Sequence, residues 1–178
     1  MFKELHTPGS RPPLYDSEAV QPMRDELTWV GFEELITSGD VDEAVSNTQG
    51  TMLVVVNSVC GCAAGSARPG ATAALQHNII PDRFVTVFAG QDRDAVDKMR
   101  EHLNQTPSSP SMAILENGEL KFFLPRHEIE GRTAEQVAGI LTDAFEQYCS
   151  HKGPSIGKEQ YDQLVHARVC GSKIPKHS

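Results

Sequence analysis

Two cysteines separated by one glycine, Cys60-Gly61-Cys62, are the residues of this chain best suited to do chemistry. An apolar, β-branched run from Met52 to Val56 precedes them and predicts a strand buried on both faces. The alanine-rich segment that follows predicts the start of a helix. A helix N-terminus favours a thiolate over a thiol, because it carries unpaired N–H groups and partial positive charge. Since the thiolate is the nucleophile of disulfide exchange, this pattern predicts redox chemistry at Cys60.

Three residues next to the cysteines have predicted supporting roles. A disulfide between Cys60 and Cys62 closes a small ring, and strain in such a ring makes the bond easier to reduce. Gly61 accepts the unusual backbone angles that this ring requires. Asn57 and Ser58 offer side-chain oxygens that either cap the helix, which is the commoner use, or hydrogen-bond the Cys60 thiolate.

The string from Val55 to Gly65, followed by Ala-Arg-Pro, resembles the bacilliredoxins, which are thioredoxin-like proteins with a Cys-Gly-Cys active site. The resemblance covers roughly Leu14 to Cys149. It implies a thioredoxin-like fold and the reduction of mixed disulfides between proteins and bacillithiol, a low-molecular-weight thiol. In that mechanism Cys60 attacks and Cys62 is its partner. Bacillithiol is then a co-substrate, and no bound cofactor is needed.

The same resemblance assigns a role to Pro110. Thioredoxin-like proteins place a cis-proline before the third strand, facing the cysteines, and Ser109-Pro110 matches in order. Only about 5–6% of X–Pro bonds in folded proteins are cis, so this expectation rests on the resemblance. The proline would keep a backbone N–H and C=O near the thiols free to pair with an extended substrate segment.

The order of predicted elements is strand, helix, strand, helix, hairpin, helix. This order is typical of an α/β domain with a central mixed sheet and helices on both faces, and the resemblance implies that it is thioredoxin-like. The two first strands are expected to be parallel and joined through the cysteine-bearing helix. The signals for the remaining elements are apolar helical spacing over residues 23–36 with an interruption at Gly31, a strand at Phe84–Phe88, a hairpin at Asn117-Gly118, and a last helix from Thr133 to about Cys149.

The extent of the resemblance, together with the composition at the two ends, divides the chain into three expected segments. Residues 1–13 form an irregular arm, residues 14–150 the thioredoxin-like domain, and residues 151–178 a C-terminal extension with one short helix between Lys158 and Val169. We expect Cys149 to be a small buried hydrophobe. We expect Cys170 to be either an exposed free thiol or an additional resolving thiol. Arg68 lies too far along its helix to approach Cys60 easily, and reads as a surface or structural charge.

Composition limits the partners and the compartment. The net charge of −8 argues against general binding to nucleic acid or anionic membrane. No window approaches the run of about 20 apolar residues that spans a bilayer, and the N-terminus lacks the apolar core of a secretory signal. We therefore expect a cytoplasmic protein, where a close cysteine pair is more often catalytic or metal-binding than structural. Its expected partners are bacillithiol-modified or disulfide-bonded proteins and a reducing system for the active-site thiols.

Two other functions use the same cysteines. A protein disulfide isomerase would exchange Cys60 with protein disulfides instead of small-thiol adducts. A non-catalytic module would use the pair to bind metal or to sense oxidants. Two thiolates fill only half of a structural zinc site, and no second ligand pair such as Cys-x-x-Cys is visible. The sequence thus favours redox chemistry, and no metal ligand is assigned.

Overall fold

The computed structural model describes residues 10–168, 174 and 176. Its helices are α1 (Ser17–Thr28), α2 (Ser38–Asn47), α3 (Arg68–Ala74), α4 (Arg93–Leu103), α5 (Arg126–Ile129), α6 (Ala134–Tyr148) and α7 (Lys158–Asp162), with a π-helical turn at Ala63–Ala67 before α3. Its strands are β1 (Glu33–Glu34), β2 (Thr51–Asn57), β3 (Ile79–Ile80), β4 (Arg83–Phe88), β5 (Ser111–Glu116), β6 (Glu119–Leu124) and β7 (His151–Lys152).

Five of these strands form one mixed sheet in the order β1-β4-β2-β5-β6. Strand β4 is parallel to both β1 and β2, whereas β5 is antiparallel to β2 and β6. One apolar cluster packs α3 and α6 on one face of the sheet, and a second packs α2 and α4 on the other. The predicted α/β class, with a thioredoxin-like mixed sheet and helices on both faces, is confirmed. Strand β2 is buried along its whole length at the centre of this sheet.

Local signals in the sequence account for several element boundaries. The Thr133 hydroxyl accepts from the Gln136 N–H while the Gln136 side chain accepts from the Thr133 N–H, which is the predicted capping box of α6. Asn117 and Gly118 both have positive φ, 51° and 81°, as a two-residue hairpin of this type requires. Among the described residues, no helix combines the length and the apolar character that crossing a membrane requires.

The segment after α1 differs from its prediction. The helical spacing over residues 23–36 predicts a further helical turn beyond Gly31, but α1 ends at Thr28 and Gly31 turns the chain with a φ of +109°. The next residues form β1 at the edge of the sheet. Phe32 joins the apolar cluster on one face and Leu35 the cluster on the other, which extended backbone allows because neighbouring side chains alternate.

The C-terminal extension is described continuously over residues 151–168, and this part packs against the domain. Its first residues form β7 and pair antiparallel with β3. Helix α7 ends at Asp162, earlier than the sequence predicts, and the Trp29 Nε1–H donates to the Gln160 carbonyl at 2.8 Å. The chain then returns toward α1 and α3, where Ala167 is buried.

The contact between α3 and α6 generates a stability prediction. A Cβ on Gly70 would lie 2.7 Å from Val137 Cβ, because the two helices approach closely at this glycine. We expect Gly70→Ala to lower the free energy of unfolding by about 1–3 kcal/mol, measured by urea denaturation. The control is Gly139→Ala on the exposed side of α6, where a Cβ meets nothing within 4 Å. That change should raise stability by roughly 0.5–1 kcal/mol, and equal effects of the two changes would contradict the prediction.

Candidate active site

Cys60 lies between the end of β2 and the first helical turn of the chain segment that follows. Residues 61–62 are already helical, and the Cys60 carbonyl accepts hydrogen bonds from the N–H groups of Ala63 and Ala64 at 3.1 and 3.2 Å. Cys60 therefore precedes the first turn and Cys62 lies within it, which is the placement that the sequence predicts. Both residues are free thiols and partly exposed. Their catalytic roles stay a prediction at this point.

A π-helical turn separates the cysteines from Arg68. The Arg68 N–H donates to the Ala63 carbonyl, five residues earlier, so Ala63–Ala67 contains one more residue per hydrogen-bonded ring than an α-helix does. The extra residue rotates the side chains that follow by about 100°. As a result Arg68 points into the protein, and its side chain is fully buried.

The Arg68 guanidinium is the centre of a buried hydrogen-bond network. Its Nη1 donates to the Ser58 carbonyl at 2.7 Å and to Asn57 Oδ1 at 3.1 Å. Its Nε donates to Glu26 Oε2 at 3.3 Å, and its Nη2 donates to the Ala167 carbonyl at 3.1 Å. Of the two interpretations of Arg68, the surface charge is therefore wrong and the structural charge is confirmed. An α-helical wheel does not include the π turn that brings this side chain beneath the cysteine loop.

Electrostatics link this network to Cys60. Burial lowers the pKa of Arg68, whereas attraction to Glu26 and to a charged Cys60 raises it. Burial raises the pKa of Glu26, and Arg68 and His166 oppose that increase. The Arg68 guanidinium is therefore electrostatically coupled to the loop that carries Cys60.

Asn57 and Ser58 fix the loop that carries Cys60. The Asn57 side-chain amide donates to the Met23 carbonyl at 3.2 Å, and its Oδ1 accepts from the Ser58 N–H at 2.9 Å. Ser58 Oγ accepts from the Cys60 N–H at 3.2 Å. None of these bonds caps the π turn or α3. Among the described residues, neither side chain hydrogen-bonds the Cys60 sulfur. The two side chains thus position Cys60 through backbone groups.

Cys62 has a different electrostatic environment. Its Sγ–H donates to Glu130 Oε1 at 3.6 Å, and the Arg126 Nε–H donates to the same oxygen at 2.8 Å. Burial raises the pKa of Cys62, the charges of Cys60 and Glu130 raise it further, and Arg126 opposes them. The hydrogen bond from Arg126 holds the pKa of Glu130 below its ordinary value. Sequence reasoning missed Glu130 and Arg126 because they lie more than 60 residues away, after and at the start of the short helix α5, where no motif marks them.

Pro110 lies beside the cysteine loop. Ser111 pairs with Val56 in the sheet, so Pro110 is adjacent to the end of β2 from which the loop leaves. The Ser109–Pro110 peptide is cis, as the resemblance implies. Arg126 Nη1 donates to the Ser109 carbonyl at 3.3 Å, which connects this turn to the Cys62–Glu130 pair.

Gly61 is exposed between the two cysteines. A Cβ at this position would meet nothing within 4 Å, and its φ is not positive. The predicted need for glycine here belongs to the disulfide form, and it stays a prediction because both thiols are free.

The remaining cysteines are separate from this site or undescribed. Cys149 is buried at the end of α6, and burial raises the pKa of its thiol to about 11, so it stays protonated at neutral pH. This agrees with its interpretation as a buried hydrophobe. Cys170 lies outside the described residues. Within residues 10–168 and the two described tail positions, no three His, Cys, Asp or Glu side chains are grouped so that they could hold a metal ion.

Comparison with known proteins identifies the family. Residues 15–149 match the protein family described as disulphide isomerase. A bacilliredoxin of Koribacter versatilis is 50% identical over 137 residues, covering 76% of this chain and 94% of the relative. A bacilliredoxin of Bacillus cereus is 55% identical over 137 residues, covering 76% of this chain and 95% of the relative.

A solved structure, described as a candidate oxidoreductase with a thioredoxin fold, aligns with a TM-score of 0.41 and 17% identity. The alignment covers 58% of this chain and 90% of that one. From the matched family and the bacilliredoxin relatives, the chain belongs to the bacilliredoxin family of thiol oxidoreductases.

Proposed function

We propose that this protein removes bacillithiol from mixed disulfides on other proteins, using Cys60 as the nucleophile and Cys62 as its partner. The observation that carries the proposal is the contrast between the two thiols. Cys60 is partly exposed at a helix start above the buried Arg68 guanidinium, whereas Cys62 faces the Glu130 carboxylate. Such a contrast supports attack by Cys60 while Cys62 keeps its proton. The names of the relatives support the choice of bacillithiol as the small thiol.

In the first step, the Cys60 thiolate attacks the bacillithiol sulfur of the mixed disulfide. A new bond forms between Cys60 Sγ and the bacillithiol sulfur, and the bond from bacillithiol to the substrate cysteine breaks. The substrate cysteine leaves as a thiolate and takes a proton from water. Arg68 and Ser58 hydrogen-bond the backbone of the loop and so hold Cys60 in place.

In the second step, the adduct on Cys60 is resolved. Cys62 loses its proton and attacks Cys60 Sγ, which forms the Cys60–Cys62 disulfide and releases bacillithiol. A second bacillithiol can instead attack the adduct, releasing the bacillithiol disulfide and the free Cys60 thiolate. Because burial and Glu130 raise the pKa of Cys62, the route through Cys62 becomes faster as the pH rises. No bound cofactor takes part in either route, and a cellular reducing system restores the thiols.

The substrate protein approaches from the side of Pro110 in this proposal. An extended segment around the modified cysteine pairs with the backbone next to the cis-proline, as a strand added to the sheet does. The reaction belongs in a reducing compartment such as the cytoplasm, where disulfides on proteins are transient.

A second candidate function is protein disulfide isomerisation, which the description of the matched family favours. It uses the same thiols, but Cys60 attacks a protein disulfide and the protein remains bound until it rearranges. Scrambled disulfide-containing substrates distinguish the two functions, because only an isomerase restores native pairing without net reduction.

Single cysteine variants test the assigned roles. Reduced protein is mixed with a model substrate that carries a bacillithiol mixed disulfide, and both masses are followed over time. We expect bacillithiol to leave the substrate with wild type, no transfer with Cys60→Ala, and a stable bacillithiol adduct on Cys60 with Cys62→Ala. Cys149→Ala is the matched control and should behave as wild type, because Cys149 is buried. A substrate that wild type does not change would refute this function.

The ion pair beside Cys62 generates a pH-dependent prediction. The Glu130 charge disfavours the Cys62 thiolate, so Glu130→Gln should lower the pKa of Cys62. We expect the pH profile for alkylation of Cys62 by iodoacetamide, measured in a Cys60→Ala background, to move to lower pH. Glu128→Gln changes a neighbouring acid and should leave the profile in place. A profile that moves upward or stays unchanged in Glu130→Gln would contradict the assigned contact.

The Arg68 network generates a third prediction. Lysine keeps the charge at position 68 but cannot serve four acceptors, so Arg68→Lys should lower the free energy of unfolding by about 2–4 kcal/mol. It should also slow alkylation of Cys60 severalfold in folded protein at neutral pH. Arg24→Lys is the control, since Arg24 pairs with Asp92 and Glu34 and has no described bond to the cysteine loop. If both variants slow Cys60 equally, the effect is general destabilisation and Arg68 has no special role.

A further inference from the structure

The C-terminal extension reaches the active site although it lies outside the family match, which ends at residue 149. It is held there by a buried pair of charges. The Ala167 N–H donates to Glu26 Oε1 at 3.1 Å, and the Ala167 carbonyl accepts from Arg68 Nη2 at 3.1 Å. His166 Nδ1 lies 3.3 Å from the same Glu26 oxygen. Residues 166–168 are therefore anchored next to the helix that begins after Cys60.

A surface cleft of about 470 Å³ lies where these residues meet the helix that follows Cys60. Gly61, which separates the two cysteines, lines it together with Ala64, Gly65, Pro69, Ala134, His166 and Arg168. A Cβ on Gly61 or on Gly65 would meet nothing within 4 Å, so small residues keep this space open. The volume lies within the range of about 300–1,000 Å³ that is usual for small-molecule sites.

The charges of the cleft indicate the class of ligand. Arg168 is exposed, and no described carboxylate lies within ion-pair distance of it, whereas His166 faces Glu26. The N-terminus of the helix that follows Cys60 adds partial positive charge near Gly61. In a protein with a net charge of −8, this cleft thus offers a guanidinium to an anionic group.

We propose that this cleft binds the small-thiol half of the mixed disulfide, with Arg168 pairing with a carboxylate of that thiol. This inference rests on the proposed function, because it concerns the group that Cys60 receives. After the first step the small thiol is bonded to Cys60, next to Gly61, while the protein half leaves from the side of Pro110. The extension is then a specificity element that this chain adds to the family site.

A matched pair of probes tests the proposal. One substrate peptide carries a mixed disulfide with 3-mercaptopropionic acid, and the same peptide carries one with 3-mercaptopropionamide, so that only the charge differs. We expect wild type to release peptide from the carboxylate probe about two- to fivefold faster, the scale of one exposed ion pair. The ratio of the two rates should fall to about one in Arg168→Gln and decrease with salt. Arg93→Gln, an arginine at the start of α4, should keep the wild-type ratio.

Filling the cleft provides an independent test. Gly65→Leu places a side chain in open space and should slow both probes severalfold, whereas Gly139→Leu on exposed α6 should not. Equal rates for the two probes in wild type, or a ratio that survives Arg168→Gln, would overturn the cleft assignment and leave the proposed function standing. If wild type reduces neither these probes nor the bacillithiol substrate, the proposed function itself fails.

Discussion

The buried ion pair between Glu26 and Arg68 is the interaction on which the geometry of the active site depends. Two charges removed from water are costly unless hydrogen bonds satisfy them. Burial raises the pKa of Glu26 and lowers the pKa of Arg68, which favours the neutral form of each. The cost is offset because each guanidinium nitrogen and each carboxylate oxygen has a specific partner. Two of those partners, Asn57 and the Ser58 carbonyl, belong to the loop that ends at Cys60. The charge pair thus fixes the position of Cys60.

The same arrangement gives the two thiols opposite surroundings within one helical turn. A cation lies beneath Cys60, and a carboxylate lies beside Cys62. Two equal thiols so close together would compete, since the thiolate of one raises the pKa of the other. Unequal surroundings reduce that competition. In the proposed function they set an order in which Cys60 attacks first and Cys62 becomes reactive only when it loses a proton held by burial and by Glu130.

The sequence was sufficient where short-range physical rules decide the structure. The strand before Cys60, the helix start after it, the capping box at Thr133 and the turn at Asn117-Gly118 each depend on neighbouring residues. It was insufficient where one backbone irregularity has distant consequences. The π turn rotates Arg68 inward, and no residue spacing in Ala63–Ala67 marks the extra residue. Glu130 and residues 166–168 are brought to the cysteines by tertiary packing, which a single sequence does not encode in a readable pattern.

The extension is part of the same electrostatic arrangement and is not an appendage to it. Ala167 donates to one member of the buried pair and accepts from the other, so its backbone serves both charges. If that segment moved away, one Arg68 nitrogen and one Glu26 oxygen would lose these partners in a buried position, which costs more than an exposed loss. The hydrogen bonds that hold the extension are therefore made to the same two charged side chains that position Cys60. A group bound between the extension and the helix after Cys60 would contact both, so in the proposed function small-thiol recognition and the placement of Cys60 are physically coupled.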